Sequence, residues 1–273
     1  MAYYDIGKYE EAERWLNRAK AADKTMTASE YNLGRIAFET GRFEEAIGYF
    51  ENIIKRDPDN IMALRAAAYS RIKNGDLEKA EELYNRVLML VPENADNGFN
   101  YALVLYSLGK YDRCEEILNK YPYALEENPA SLLLLARTQK EADKVEAIDT
   151  YAKWVESNTD PANPQVLYEY AQVLESGEFY ARALEQYSAA INALSADTDD
   201  LKKYDIRFME ARLLLTADPE NSEGLMELNT AITEGFSDTS MVQALLGDER
   251  ITQDNKDEIR KILDNMDSIK TSD

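Results

Sequence analysis

At 273 residues with a net charge of −21, the chain is long enough for one or two compact domains or for a run of small stacked units. Its acidity argues against nucleic acid and anionic membrane surfaces as partners, since both call for a basic footprint. It contains no histidine, which removes the commonest general base and metal ligand, and a single cysteine, Cys114, excludes an intramolecular disulfide.

Taken from the front, residues 3–26 read as the second half of a helical hairpin. Gly7, Tyr9, Ala12, Leu16 and Ala19 carry its turn and packing positions, and a first helix is missing or reduced to a few residues. The apolar face of this helix needs cover. A missing N-terminal segment or a second copy of the chain, hence a homo-oligomer, is expected to supply it.

Residues 27–60 form the clearest unit. Tyr31, Leu33, Ile36, Ala37 and Phe38 follow a helical period, Gly41 marks a turn, and Phe43, Ala46, Ile47, Phe50, Ile53 and Ile54 repeat at three- and four-residue spacing until Asp57-Pro58 stops the helix. The same grammar returns 34 residues later at Gly75, Leu77, Ala80, Tyr84, Val87 and Pro92, within residues 61–94. It returns again at Gly109, Tyr111, Cys114, Leu118 and Tyr121, within residues 95–127, where Pro122 shortens the second helix. Residues 128–161 form a degenerate unit in which Ala142 takes the place of the turn glycine and Lys144 that of the aromatic. Residues 164–197 follow, with Gly177 displaced by one position. From 198 to 273 the match fades into a divergent helical cap, with helices expected over 201–215, from Pro219 to Gly235 and over 255–266.

A fixed period of this length marks a stacked-repeat protein. On Leu33, Gly34, Gly41, Phe43, Ala46, Phe50 and Pro58, the units resemble tetratricopeptide repeats over about residues 3–197. The segment Gly235-Phe236-Ser237-Asp238 with Leu245-Leu246 resembles the closing segment of many bacterial arrays. The resemblance implies an all-α fold, a right-handed solenoid of helix-turn-helix units. It also implies that the first helix of each unit lines an inner, concave surface.

No residue pattern points to catalysis or to a cofactor. Cys114 stands where Ala46 and Ala80 stand, so a small buried side chain explains it, and no histidine is present to activate it. The pairs Glu44-Glu45, Glu81-Glu82 and Glu115-Glu116 are read as equivalent acids near helix starts, where they favour the macrodipole. Asp197-Thr198-Asp199-Asp200 lacks the glycine and distant glutamate that a calcium loop requires, so no metal is expected.

The family's inner-surface positions map onto Tyr31, Arg35 and Phe38, onto Arg65, Tyr69, Ile72 and Lys73, and onto Phe99, Leu103 and Tyr106. Those ten include three cations and no acid, in a chain with 52 acidic residues. Aromatic and arginine side chains are the types enriched at binding hot spots. The carboxylate clamp of chaperone-binding members would need Tyr31, Arg35, Ala66, Asp96 and Asn100, of which only Arg35 and Asn100 suit an anion.

The chain is therefore read as a protein- or peptide-binding scaffold. The rival readings are a helical-repeat protein that captures a small ligand and a non-catalytic regulatory arm of a larger enzyme or envelope assembly. No signal peptide stands at the start, so the expected setting is cytoplasmic, or periplasmic had a leader been removed.

Overall fold

The computed structural model describes residues 7–23, 26–157, 163–194, 201–220 and 222–270, with side chains through residue 266. The chain is all-α, with no strand among these residues. It divides into two compact units, Met1–Lys144 and Val145–Asp273. Asp197–Asp200, weighed above as an acidic loop, lies outside the described residues.

Unit one contains α1 (Tyr9–Ala22), α2 (Thr27–Glu39), α3 (Phe43–Arg56), α4 (Ile61–Lys73), α5 (Leu77–Leu90), α6 (Ala95–Ser107), α7 (Tyr111–Asn119), the short α8 (Pro122–Glu127) and α9 (Pro129–Glu141). Each helix packs on its neighbours in sequence, as a stack of hairpins must. The starts of the first helices share one cap. Asn60, Asn94 and Asn128 accept hydrogen bonds from the backbone N–H groups of Ala63, Asn97 and Ala130 at 2.9–3.0 Å, satisfying donors that have no partner within the helix. Asn163 does the same for Val166 in unit two, at 3.2 Å.

The turns share a second device. The N–H groups of Arg42, Asp76, Lys110 and Lys144 bond back to the carbonyls of Ala37, Arg71, Leu105 and Gln139 at 2.8–2.9 Å. This closure needs a left-handed residue just before the donor. Gly41, Gly75 and Gly109 fill that place with φ between 68 and 82°. In the fourth turn it is Asp143 (φ 52°), not Ala142, and in the turn closed by Phe179 on Leu174 it is Glu178 (φ 64°), not Gly177. The two degenerate turns thus keep the backbone path and give up the glycine. Gly177 answers a different need, since a Cβ there would meet the Ile148 side chain at 2.8 Å. The same count makes Lys144 the counterpart of Lys110, a charged turn residue, rather than of the packing aromatic.

The core of unit one is a line of small and large residues that interdigitate between hairpins. Ala37, Ala46, Phe50, Ile53, Ala63 and Ala67 form one cluster, and Ala80, Tyr84, Tyr101, Ala102, Cys114, Leu118 and Leu134 belong to the next. Cys114 is fully buried, its Sγ 3.2 Å from the Ala102 carbonyl and from Thr138 Oγ1, and burial pushes the thiol above its ordinary range. It is a packing residue, as its repeat-equivalent alanines suggest. At the front, α1 buries Ala12, half-buries Tyr9, Leu16 and Ala19, and leaves Trp15 56% exposed with the Arg18 guanidinium 5.0 Å over its ring.

Unit two contains α10 (Ala147–Ser157), α11 (Pro164–Ser176), α12 (Tyr180–Ala193), α13 (Lys203–Ala217), α14 (Glu223–Glu234), α15 (Thr239–Leu245) and α16 (Gln253–Lys270). Helices α11 with α12 and α13 with α14 form its two closest pairs. Its C-terminal core gathers Phe208, Leu215, Leu228, Val242, Ile259 and Leu263, with Phe236 stacked on Phe208 at 4.3 Å between ring centres. Phe236 follows Gly235, whose φ of 125° lets the chain turn back after α14. Asp238 then caps α15 through the N–H groups of Ser240 and Met241.

Candidate partner-binding groove

The first helices of unit one repeat the same three places. Tyr31, Arg65 and Phe99 are equivalent, as are Arg35, Tyr69 and Leu103, and Phe38, Ile72 and Tyr106. In each helix the three lie at spacing four and then three, which puts them on one face.

The structure brings five of the ten expected residues to one pocket. Tyr31, Arg35 and Phe38 from α2 and Arg65 and Tyr69 from α4 line a concavity of about 610 Å³, joined by Met62, Tyr84, Asn100 and Glu39. Its floor is aromatic. The Tyr31 and Phe50 rings lie 5.4 Å apart, and Phe38 and Tyr69 lie 5.1 Å apart with planes tilted by 33°. Tyr69 is 46% exposed, and the Lys73 ammonium sits 5.6 Å from its ring centre. Burial pushes the Tyr84 phenol up to about 12, against the pull of the nearby Arg65 charge, so it stands in the wall as a neutral hydroxyl.

The other expected residues do not join this pocket. Ile72, Phe99 and Tyr106 are half-buried against the core cluster around Tyr84 and Tyr101, and Tyr106 also meets Tyr111 at 5.7 Å. Leu103 is exposed but is not among the pocket's lining residues. Glu39, Met62 and Tyr84 were not singled out as groove residues, and Asn100 was weighed only as a clamp position. Met62 could have been, because it lies one turn before Arg65 on the same face. Glu39 places one carboxylate in the lining.

The acidic pairs prove to be two sets. Glu44 and Glu45 lie in the first turn of α3, as the macrodipole favours. Glu81 and Glu115, which are equivalent to each other, lie a turn deeper and bind cations from the next hairpin. Glu81 holds Lys110 at 2.5 Å and Arg113 at 2.8 Å, and Glu115 holds Lys144 at 2.7 Å and accepts from Gln139 at 2.7 Å. Glu13 pairs with Arg42 in the same way. Among the described residues no group of three or more histidine, cysteine, aspartate or glutamate side chains could hold a metal ion, and no helix is long and apolar enough to cross a membrane.

Comparison with known proteins gives three findings. Residues 31–95 and 71–138 each match the tetratricopeptide repeat family. Among curated proteins, the chain is 26% identical to mouse N-alpha-acetyltransferase 16, NatA auxiliary subunit, over 162 residues, and 23% identical to the human protein over 195, covering 55% and 66% of this chain. It spans only 19% and 23% of the length of those two proteins. It is also 25% identical to an uncharacterized lipoprotein of Treponema pallidum, over 53% of this chain and 74% of that protein. Among solved structures, a tetratricopeptide repeat protein from Parabacteroides merdae superposes with a TM-score of 0.60 at 19% identity, covering 89% of this chain and 93% of that one. YrrB, described as a repeat protein with an unusual peptide-binding site, gives 0.59 at 17% identity over 67% of this chain and 93% of its own.

Proposed function

We propose, from the premise that this chain is a tetratricopeptide-repeat protein, that unit one binds a segment of a partner protein in the pocket between α2 and α4. The observation that carries the reading is the convergence of Tyr31, Phe38 and Tyr69 with Arg65 on one concavity of about 610 Å³. Large rigid rings bury area at little cost in rotamer freedom, and arginine can bind a carboxylate at two points while lying on a ring. Arg65 and Lys73 form no ion pair among the described residues, although the chain carries 52 acids that could neutralise them. The segment that fits therefore combines apolar side chains with an acidic one. The chain serves as a scaffold or adaptor and contributes no catalytic group of its own.

Selection of displayed peptides on the full chain tests this. Enrichment of sequences that pair Phe, Leu or Trp with Asp or Glu is the expected result. Enrichment of basic sequences, or binding that survives in Tyr69→Ala, would place the site elsewhere.

A second reading is favoured by the match to auxiliary subunits of an acetyltransferase. In it the chain is a non-catalytic arm of a larger assembly, and a second polypeptide that co-purifies and brings an activity of its own would support it.

A further inference from the structure

Beside the groove lies a second recess, formed by α4, the connection between α5 and α6, and α6 itself. It measures about 490 Å³, with Ile61, Val91 and Pro92 as its apolar wall and Arg65, Glu93 and Asn97 as its polar one. Asn97 is 1% exposed, yet its Oδ1 has no hydrogen-bond partner. Its backbone N–H is satisfied by Asn94 Oδ1 at 2.9 Å, so the shortfall shown is that of the side-chain oxygen.

Packing does not require an amide there. The residues at the equivalent place in the other hairpins of unit one are Ser29, Ala63 and Ser131, all buried and all smaller. A buried amide oxygen without a partner loses the hydrogen bonds that water gave it and gains nothing in return. It becomes useful if a ligand supplies the missing partner. An amide oxygen accepts, which matches the donating N–H of a peptide main chain. Arg65 borders both this recess and the groove pocket, and so joins them.

We propose that the recess is a main-chain-reading subsite. The partner segment leaves the aromatic pocket over Arg65, binds that guanidinium through one acidic side chain, and pairs a main-chain amide with Asn97. Glu93 in the same lining disfavours a second acid. This rests on the groove reading above and gives it a direction, from α2 across α4 to α6.

The test uses the full chain and a blocked dipeptide, N-acetyl-aspartyl-leucinamide, followed by nitrogen-15 NMR. The Asn97 side-chain NH₂ signals are identified by their loss in Asn97→Ser, which installs the residue found at the equivalent positions and should melt at an equal or higher temperature. The expected result is a saturable shift of those signals and binding about fivefold weaker in Asn97→Ser, the scale of one lost hydrogen bond. Static Asn97 signals at the probe's solubility limit, or equal affinity in Asn97→Ser, overturn the proposal. The groove reading stays separate, because Tyr69→Ala judges it on selected peptides whatever Asn97 does.

Discussion

Helix α13 in unit two and helix α4 in unit one use their cations differently. In unit two, Arg212 on α13 donates to Glu175 on α11 at 2.5 Å, and the same carboxylate accepts from the Tyr187 hydroxyl at 2.9 Å. Arg207 on α13 binds Glu227 and Glu234 on α14 at 2.6 and 2.8 Å. Ser188 donates to the buried Glu210 at 2.5 Å. In unit one, α4 carries Arg65 and Lys73 with no ion pair among the described residues, beside the exposed Tyr69 ring, while Arg71 on the same helix is held by Glu51 and Asp76. Helix α13 thus pairs the cations Arg207 and Arg212, whereas α4 leaves Arg65 and Lys73 unpaired. Repeat grammar alone does not assign a surface to binding, and the proposal for α4 rests on its unpaired cations instead.

Substitutions can separate the two uses. The largest effect is expected at Tyr69→Ala, which should weaken binding of a selected peptide by about 2 kcal/mol, with Arg65→Ala costing about tenfold. Neither should move the melting temperature appreciably, and Lys202→Ala should leave affinity unchanged, all measurable by calorimetry. Arg212→Ala should do the reverse. It leaves Glu175 without its cation and should lower stability by about 1.5 kcal/mol in denaturant titration while peptide affinity holds. Were Arg212→Ala to weaken binding as much as Arg65→Ala, the contrast between the units would collapse.

The turns give a smaller effect. A left-handed conformation costs an ordinary L-residue about 1–2 kcal/mol, part of which glycine's added backbone entropy takes back. Glu178→Gly should stabilise by about 0.5–1 kcal/mol. Asp143→Gly should gain less, because aspartate tolerates this conformation better. Equal melting temperatures for Glu178→Gly and the parent chain would mean that those φ values carry no strain.

The smallest effect is a pair of opposite pH slopes within unit two. Burial raises the Glu210 carboxyl above its ordinary range, so the folded state holds this proton more tightly than the unfolded one. Its contribution therefore falls as pH rises through that raised value and grows on acidification. Asp248 is the reverse. Arg250, bound at 2.6 Å, holds its carboxyl down to about 2, so its contribution is lost as pH falls from the ordinary carboxylate range toward that value. The second slope should amount to a few tenths of a kcal/mol, because the Asp248–Arg250 pair is largely solvated. Glu210→Gln should flatten the first slope and Asp248→Asn the second.

The period of 34 residues made the helices legible, because Ala46, Phe50 and Pro58 recur as Ala80, Tyr84 and Pro92 whatever the rest of the unit does. The degenerate turns misled for a definable reason. Seeking the left-handed place by residue type led to Ala142 and Gly177, whereas counting from Gly109 leads to Asp143, because the backbone path is conserved between repeats even where its preferred residue is not. The groove was legible where a side chain's neighbours are its own helix and the next, as at Tyr31, Arg65 and Tyr69. It was not legible at Ile72, Phe99 and Tyr106, because the angle between successive hairpins decides whether such a side chain faces the groove or the core. Asn97 left no signal in the sequence that distinguishes it from a cap or a turn residue.

The ion pairs that tie Glu13 to Arg42, Glu81 to Lys110 and Glu115 to Lys144 each span 29 residues and join only adjacent hairpins. With contacts that reach no further than the next neighbour, unit one has no single point whose failure releases the whole. Under tension it should lengthen in instalments, one hairpin at a time. Each repeat of 34 residues would release a contour of roughly 110–120 Å, and single-molecule stretching would record a staircase rather than one rupture.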